Sequence, residues 1–226
     1  IAAMAPEIAR LCDALIADFP RTPFDLLAAY CTPIPVLTIA RLLGVPESAA
    51  PDLLRWSHAM VAMYQSARGP AVETAAAQAS HDFTAYLKNV IAHKRQKPCD
   101  DLMTHLIQAE TPDGHLSTPE LISTCILLLN AGHEATVHSL ALAVKTLIEQ
   151  GADPAWLSPD ALPGTIEECL RFDPPLHMFT RYAYETLTIF DHRFAPGDQV
   201  ALLLGAANRD PAVWPDPDRF DPARPV

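Results

Sequence analysis

The stretch TPELISTCILLLNAGHEATVHSLALAVKTLIEQG, residues 118–151, decides the fold predicted for this chain. No proline follows Pro119 until Pro154, and Gly151 is a natural stop for a helix. The stretch therefore predicts one helix over about 118–150, about 50 Å long at ~1.5 Å per residue. Its apolar residues cover nearly every face, which is typical of a helix buried inside a large protein.

The start of this helix can be capped in two ways. Thr118 can act as the N-cap with Pro119 in the first turn, or Ser117 can pair with Glu120 in a capping box. Both patterns begin the helix at the same place, and the sequence leaves the choice open.

The middle of the helix, NAGHEAT at residues 130–136, departs from the apolar pattern. Gly132 costs about 1 kcal/mol in a helix interior relative to alanine, and Glu134 is costly to bury unless it is paired or hydrated. Small residues followed by an acid and a hydroxyl favour a flat ligand against the helix, with a proton route beside it. A packing kink with a solvated acid explains the same residues, so the segment alone leaves both interpretations open.

A zinc site is not predicted here, although His133 and Glu134 are adjacent. A metalloprotease helix needs histidines at i and i+4 on one face. The second histidine is His138 at i+5, about 140° around the helix from His133. Val137 occupies the i+4 position, where the second zinc ligand would have to be.

The segments on either side of the long helix read as a mainly helical chain with a small β region. Amphipathic spacing and proline or glycine breaks predict further helices over residues 2–18, 25–43 (interrupted near Pro33 and Pro35), from Ser48, from Pro70 to about Arg95, 100–109 and 162–172. A turn is predicted at residues 111–114, β-type segments at 180–190 and 199–204, and coil from Gly205 onward.

The composition bounds the class of protein. Of 226 residues, 50% are hydrophobic and 19% charged, which is typical of a globular protein and excludes intrinsic disorder. The net charge of −11 argues against a nucleic-acid partner. Five scattered cysteines without a CxxC pair favour a reducing compartment, and short apolar runs predict no membrane span, so a cytoplasmic protein is expected. Because the chain starts at Ile1, we expect it to be a piece of a longer protein.

Glu168 and Arg171 stand three residues apart on the helix predicted over 162–172, so they can pair directly. A surface pair of this kind contributes little. The motifs FDPP at 172–175, ANRDP at 207–211 and PDPDRF at 215–220 follow it. Arg219 in the last motif can bring a second guanidinium to a buried carboxylate network.

These motifs together resemble the cytochrome P450 family in its soluble bacterial form. The resemblance is carried by AGHEAT at 131–136, ECLR at 168–171, FDPP at 172–175, and the run from GAANRDP at 205–211 through FDP at 220–222. The motifs occur in the order and spacing of the family, and the similarity covers essentially the whole chain.

The resemblance implies a mainly α, partial P450 fold that holds haem (heme b) against the long helix. It implies one partial domain over residues 1–226. Within it we expect a helical core at 1–178, a β region at 179–204 and a coiled meander at 205–226.

The resemblance also implies roles for individual residues. Glu168, Arg171 and Arg219 match the family's structural salt-bridge triad. Arg181 matches an arginine that binds a haem propionate, with an exposed strand arginine as the alternative. The remaining expected sites are the haem-facing floor of Ala131, Gly132 and Ala135, the proton relay of Glu134 with Thr136 as a weaker participant, and the pocket-lining Leu127, His177 and Met178.

Two departures from the family pattern stand out. The family usually places a threonine directly after the acid, but here Ala135 follows Glu134 and Thr136 comes one residue late. A shift of one residue turns the hydroxyl by about 100° around the helix, so we hypothesise that water or substrate carries the proton instead. The family's cysteine ligand to iron also has no match among the five cysteines, so no metal ligand is assigned in this chain and the axial cysteine is expected beyond Val226.

The resemblance thus implies a haem-thiolate monooxygenase that oxidises an apolar small molecule with electrons from a ferredoxin-type partner and its reductase. Two alternatives stay open. One is a haem-free remnant that serves as a scaffold, and the other uses haem for peroxide-driven oxidation or oxidative coupling. We expect no nucleic-acid and no membrane partner.

Overall fold

The computed structural model describes residues 2–65, 68–111 and 114–225, and it divides after Val137 into two compact units. The fold is mainly helical with a small β region near the C-terminus, as expected. The organisation as one partial domain stays a prediction. The expected turn at 111–114 includes Pro112 and Asp113, which lie outside the described residues.

Eight α-helices are found in the described parts of the chain. They are α1 (Ala5–Ala17), α2 (Pro33–Leu43), α3 (Ala50–Val61), α4 (Pro70–Gln96), α5 (Leu102–Gln108), α6 (Thr118–Glu149), α7 (Leu162–Phe172) and α8 (Leu204–Ala207). Short 3-10 turns cover Ala2–Met4, Glu47–Ala49, Ala62–Tyr64 and Pro154–Leu157, and a π-helical turn covers Leu27–Cys31. The break predicted near Pro33 is therefore confirmed as a change of helix type, whereas α8 is a helical turn where coil was expected.

The strands form three antiparallel pairs. They are β1 (Glu110–Thr111) with β2 (Gly114–His115), β3 (Met178–Tyr182) with β6 (Gln199–Leu203), and β4 (Leu187–Ile189) with β5 (His192–Phe194). In the longest pair Met178 lies opposite Leu203 and Tyr182 opposite Gln199. The β-type segments read from the sequence are confirmed, with the first one split into β3 and β4.

The unit formed by residues up to Val137 has its core where α2, α3, α4 and the first half of α6 meet. Trp56 of α3 stacks on Phe83 of α4 with ring centroids 5.0 Å apart. Leu121, Cys125 and Leu129 of α6 are buried in the same cluster. Burial of side chains of this size contributes roughly 1.5–3 kcal/mol each.

Both ends of α6 follow the local signals in its sequence. Ser117 and Glu120 form the capping box, because the Ser117 amide donates to Glu120 Oε2 at 2.8 Å and the Glu120 amide donates to Ser117 Oγ at 3.4 Å. At the other end Gly151 has φ 66, and the Ala152 amide donates to the Leu147 carbonyl at 2.9 Å. That is the Schellman arrangement, in which glycine takes the left-handed position.

Within the described residues, α6 is buried on one side and exposed on another. Leu127 is 64% exposed and Ile148 is 72% exposed, whereas Leu121 and Leu129 are buried. An apolar stripe therefore remains on the surface of the helix. None of the helices in the described ranges is long and apolar enough to cross a bilayer.

A buried ion pair closes the loop between α4 and the start of α5. Lys94 Nζ lies 2.5 Å from Asp101 Oδ2, and the two side chains are 4% and 6% exposed. Asp101 also caps α5, since its Oδ1 accepts from the Thr104 amide at 2.9 Å. Burial alone would raise the pKa of Asp101, but these hydrogen bonds outweigh it and hold the pKa below its ordinary value. Gly44, at φ 67, lies directly against the Asp101 carboxyl group.

Gly44→Ala should destabilise the protein by about 2 kcal/mol or more, because the left-handed φ and the close contact with Asp101 both exclude a methyl group. Chemical denaturation measures the free energy of unfolding. Gly205→Ala is the control, since no atom lies within 4 Å of a Cβ built there and its φ is not positive. It should change that free energy by less than about 0.5 kcal/mol. Equal losses in the two variants would contradict this role of Gly44.

Candidate functional site

The exposed stripe of α6 consists of a leucine and two alanines spaced one turn apart. Leu127 and Ala131 are exposed and Ala135 is half-buried. Residues at i, i+4 and i+8 lie on one face of a helix. Because the two alanines carry only a methyl group each, the stripe forms a shallow apolar surface on which a planar ligand can lie.

Glu134 borders this stripe and is half-buried. Within the described residues no ion pair or hydrogen bond to its carboxylate is found. Thr136 is exposed and lies about 100° around the helix from Ala135. The hydroxyl is therefore displaced from the alanine face. Whether Glu134 or Thr136 takes part in proton transfer stays a prediction.

Gly132 differs from the expectation of a haem-facing position. A Cβ built on it would lie 3.1 Å from Ile39 Cδ1 of α2, tighter than ordinary contact. The residue allows α2 and α6 to approach closely, on another side of the helix from Leu127 and Ala131. The described contacts explain this glycine by packing.

The unit that starts at His138 contains the predicted site residues of β3. Arg181 is exposed, donates from Nη1 to the Thr180 carbonyl at 3.0 Å, and lies with its guanidinium carbon 5.2 Å from the Phe179 ring centroid. These contacts leave donors of Arg181 for an external anion. His177 and Met178 are both exposed beside it. Their roles toward a cofactor or substrate stay predictions.

The same unit contains a buried ion pair between Glu168 and Arg171 of α7, which are 3% and 5% exposed. Arg171 donates from Nε to Glu168 Oε2 at 2.6 Å and from Nη2 to Oε1 at 2.8 Å. Its remaining N–H groups donate to the carbonyls of Asn208 at 2.8 Å, Pro217 at 2.9 Å and Arg219 at 3.2 Å. All five guanidinium donors are therefore used, three of them on the backbone of the C-terminal coil.

The third arginine of this network is Arg224, which corrects the expectation for Arg219. Arg224 is 9% exposed, its Nε lies 3.4 Å from Glu168 Oε2, and it donates to the Pro215 carbonyl. The side chain of Arg219 is exposed, and its carbonyl accepts from both Arg171 and Arg224. The physical reason is the turn that begins at Asp216, at φ 46, which aims the Arg219 carbonyl at the guanidinium groups.

Glu168 is held in its charged form. Its Oε1 accepts from the Asp221 amide at 2.7 Å in addition to Arg171. Burial alone would raise the pKa, but the hydrogen bonds from Arg171 and Asp221 and the charges of Arg171 and Arg224 outweigh it. The pKa of Glu168 therefore lies below its ordinary value of 4.5.

Reasoning from sequence found Glu168 and Arg171 but missed Asn208, Arg224 and the Asp221 amide. The motifs ANRDP and PDPDRF marked the right segments. They gave no signal that backbone carbonyls and an amide, rather than the Arg219 side chain, complete the network.

The cysteines of the described residues are free thiols. Burial raises the pKa of Cys125 to about 11, and burial with the charge of Glu168 raises that of Cys169 to about 11. A high pKa disfavours the thiolate that a haem iron requires. Within the described ranges, no group of three His, Cys, Asp or Glu residues could hold a metal ion.

Comparison with known proteins links these features to one family. The family model described as Cytochrome P450 matches residues 161–226, the segment that contains the Glu168–Arg171 network. Cytochrome P450 107B1 of Saccharopolyspora erythraea is 37% identical over 225 residues, covering 98% of this chain and 54% of that protein. The Vitamin D(3) 25-hydroxylase of Pseudonocardia autotrophica is 35% identical over 226 residues, with coverage of 98% and 54%.

Solved structures agree with these relatives. P450BioI, in complex with an acyl carrier protein ligated to hexadec-9Z-enoic acid, aligns with a TM-score of 0.89 at 31% identity. The alignment covers 99% of this chain and 58% of that one. The chain spans about half the length of the curated relatives that it matches.

Arg224→Ala should lower the free energy of unfolding by about 2–4 kcal/mol, because it removes the ion pair with Glu168 and the hydrogen bonds to backbone carbonyls of the coil. Arg219→Ala is the matched control. It keeps the carbonyl that the network uses and should change stability by less than about 0.5 kcal/mol. Urea denaturation of both variants measures the difference. A larger loss of unfolding free energy in Arg219→Ala than in Arg224→Ala would show that Arg219 is the third arginine of the network, as the sequence predicts.

The ion pair should also make stability depend on pH. Because the pKa of Glu168 is lower in the folded state, the folded protein binds fewer protons than the unfolded chain. The stabilisation by the ion pair is therefore fully present above pH 4.5. It is lost as the pH falls through the pKa of the folded state. Glu168→Gln should cost about 3–5 kcal/mol at neutral pH, because it leaves Arg171 buried without its carboxylate. The difference in the free energy of unfolding between wild type and variant should narrow as the pH falls below 4.5. A constant gap in urea denaturation would show that Glu168 does not have a lowered pKa.

Proposed function

Because this chain belongs to the cytochrome P450 family, we propose that it forms part of a bacterial-type haem-thiolate monooxygenase. The observation that carries the proposal is the Glu168–Arg171 network together with the motifs around it. It falls within the segment that the family model matches. A scaffold without haem is not favoured, because the relatives and solved structures that match this chain are cytochromes P450.

The residues present fit the planar cofactor that this family binds. Ala131 and Ala135 offer a flat apolar surface, with Leu127 at one end. Bulky side chains at the alanine positions would prevent a ring system from approaching the helix. We propose that this stripe, rather than Gly132, forms the surface against heme b.

Arg181 is proposed to bind a propionate of the cofactor. A guanidinium presents two parallel N–H donors to a carboxylate, and Arg181 is exposed with only one backbone acceptor engaged in the described structure. Its contact with Phe179 orients the guanidinium without neutralising it.

The cofactor supplies oxygen activation when bound, and the protein supplies the pocket and the protons. Glu134 is our proposed proton donor, because its carboxyl group borders the alanine stripe. Thr136 is a weaker participant, since its hydroxyl is turned about 100° from Ala135. Ordered water or a hydroxyl of the substrate is proposed to take the place of the family's threonine.

The proposed substrate is an apolar small molecule. Leu127, His177 and Met178 are exposed, and leucine and methionine side chains bind apolar groups without hydrogen bonding. The names of a vitamin D hydroxylase and of a P450 with a fatty acyl group agree with such a substrate. Electrons are proposed to come from a ferredoxin-type partner and its reductase, in the cytoplasm.

The proposal is tested with the complete protein, reduced under carbon monoxide. A Soret band at the position characteristic of haem-thiolate proteins is expected, whereas no Soret band after haem titration would support the scaffold alternative. Glu134→Gln should then lower the product formed per oxygen consumed by at least about tenfold, because the variant has no carboxyl group to donate a proton.

Ala135→Thr is the companion variant. It restores the hydroxyl at the family position and should leave the same ratio within about twofold, because water or substrate already carries the proton. A strong rise in coupling would overturn the proposal that this chain bypasses the threonine. Product formed with peroxide but not with reductase and oxygen would favour peroxide-driven chemistry.

A further inference from the structure

Two polar atoms are buried without a partner where α3 meets the middle of α6. Ser57 of α3 is fully buried, and in the described structure its Oγ has no hydrogen-bond partner. Asn130 Oδ1 of α6 is buried and equally unpaired among the described residues. Burying such atoms without a partner is destabilising, so each requires an explanation.

Two contacts show that α3 meets α6 near Asn130. Asn130 Nδ2 lies 4.0 Å from the Met60 sulfur, and the rings of His58 and His133 are 5.4 Å apart. Residues three apart lie on one side of a helix, so Ser57 shares the side of α3 on which Met60 meets α6. The helices are antiparallel here, because His58 lies opposite His133 and Met60 lies opposite Asn130. Ser57 therefore lies about one turn from Met60 along α3, on the side of His133.

The Asn130 amide cannot satisfy itself by turning over. The Met60 sulfur is a weak acceptor and donates nothing, so it suits only the Nδ2 end of the amide. Reversal would place Oδ1 against the sulfur, which has no hydrogen to donate, and would lose the bond that Nδ2 now makes. Turning the amide over therefore does not supply the missing partner within the described residues.

We infer that Ser57 and Asn130 hold an ordered water molecule between α3 and α6. Water can donate to Asn130 Oδ1 and accept from or donate to Ser57 Oγ, which meets the minimum of two polar partners for a buried water. Asn130 precedes Glu134 by one helical turn, so the water lies next to the acid on α6. The site lies among residues up to Val137 and needs no cofactor.

A double-mutant cycle tests the site by thermal unfolding of the complete protein. Ser57→Ala and Asn130→Leu should each lower Tm by about 2–4 °C, because each removes one hydrogen-bond partner of the water and leaves the other buried polar group poorly hydrogen-bonded. The double variant should lose less than the sum of the two, since both act on one water. Ser123→Ala, at an exposed position of α6, is the control and should leave Tm unchanged.

The opposite result has a distinct signature. If the interface is dry, removing an unpaired polar atom raises Tm, and the two effects add. Either a rise or additivity would overturn the inference. A crystal structure should show a water within about 3.2 Å of both Ser57 Oγ and Asn130 Oδ1, and its absence there would also overturn it. Failure of the complete wild-type protein to bind haem would contradict the proposed function. It would not affect the inference about the water, because the water site contains no cofactor.

Discussion

The unit that follows Val137 depends on a single buried guanidinium. Arg171 donates two hydrogen bonds to the carboxylate of Glu168 and three to backbone carbonyls of the C-terminal coil. The coil has no regular ladder of its own, so these bonds replace secondary structure in satisfying its backbone. A buried charge pair is costly unless every donor is met, and here every donor of Arg171 is met. Phe172 and Trp214, with ring centroids 5.8 and 5.6 Å from the guanidinium carbon, enclose it further.

The long helix satisfies a different constraint. Its buried side joins the core of the unit up to Val137, while Leu127 and Ala131 stay at the surface. Gly132 permits the close approach of Ile39, and Asn130 meets Met60. The NAGHEAT segment is therefore both a packing feature and a polar one. Packing explains Gly132, whereas a flat ligand against this segment stays a proposal.

Local signals made much of this predictable. The capping box at Ser117, the stop at Gly151 and the helix over 162–172 followed from residues close in sequence. The exposed stripe of α6 did not, because a pattern that is apolar on all faces does not say which face other residues cover. Arg224 was missed for a related reason. Which of two arginines reaches Glu168 depends on the turn at Asp216, and that turn has no glycine to reveal its positive φ.

Amide hydrogen exchange at Asp221 tests most directly whether the Glu168–Arg171 pair orders the C-terminal coil. This amide lies outside every helix and strand, and its acceptor is Glu168 Oε1. If the pair orders the coil, the amide exchanges as slowly as the buried amides of α7, because both open only when the network breaks. Exchange at the rate of an unstructured peptide would contradict the account.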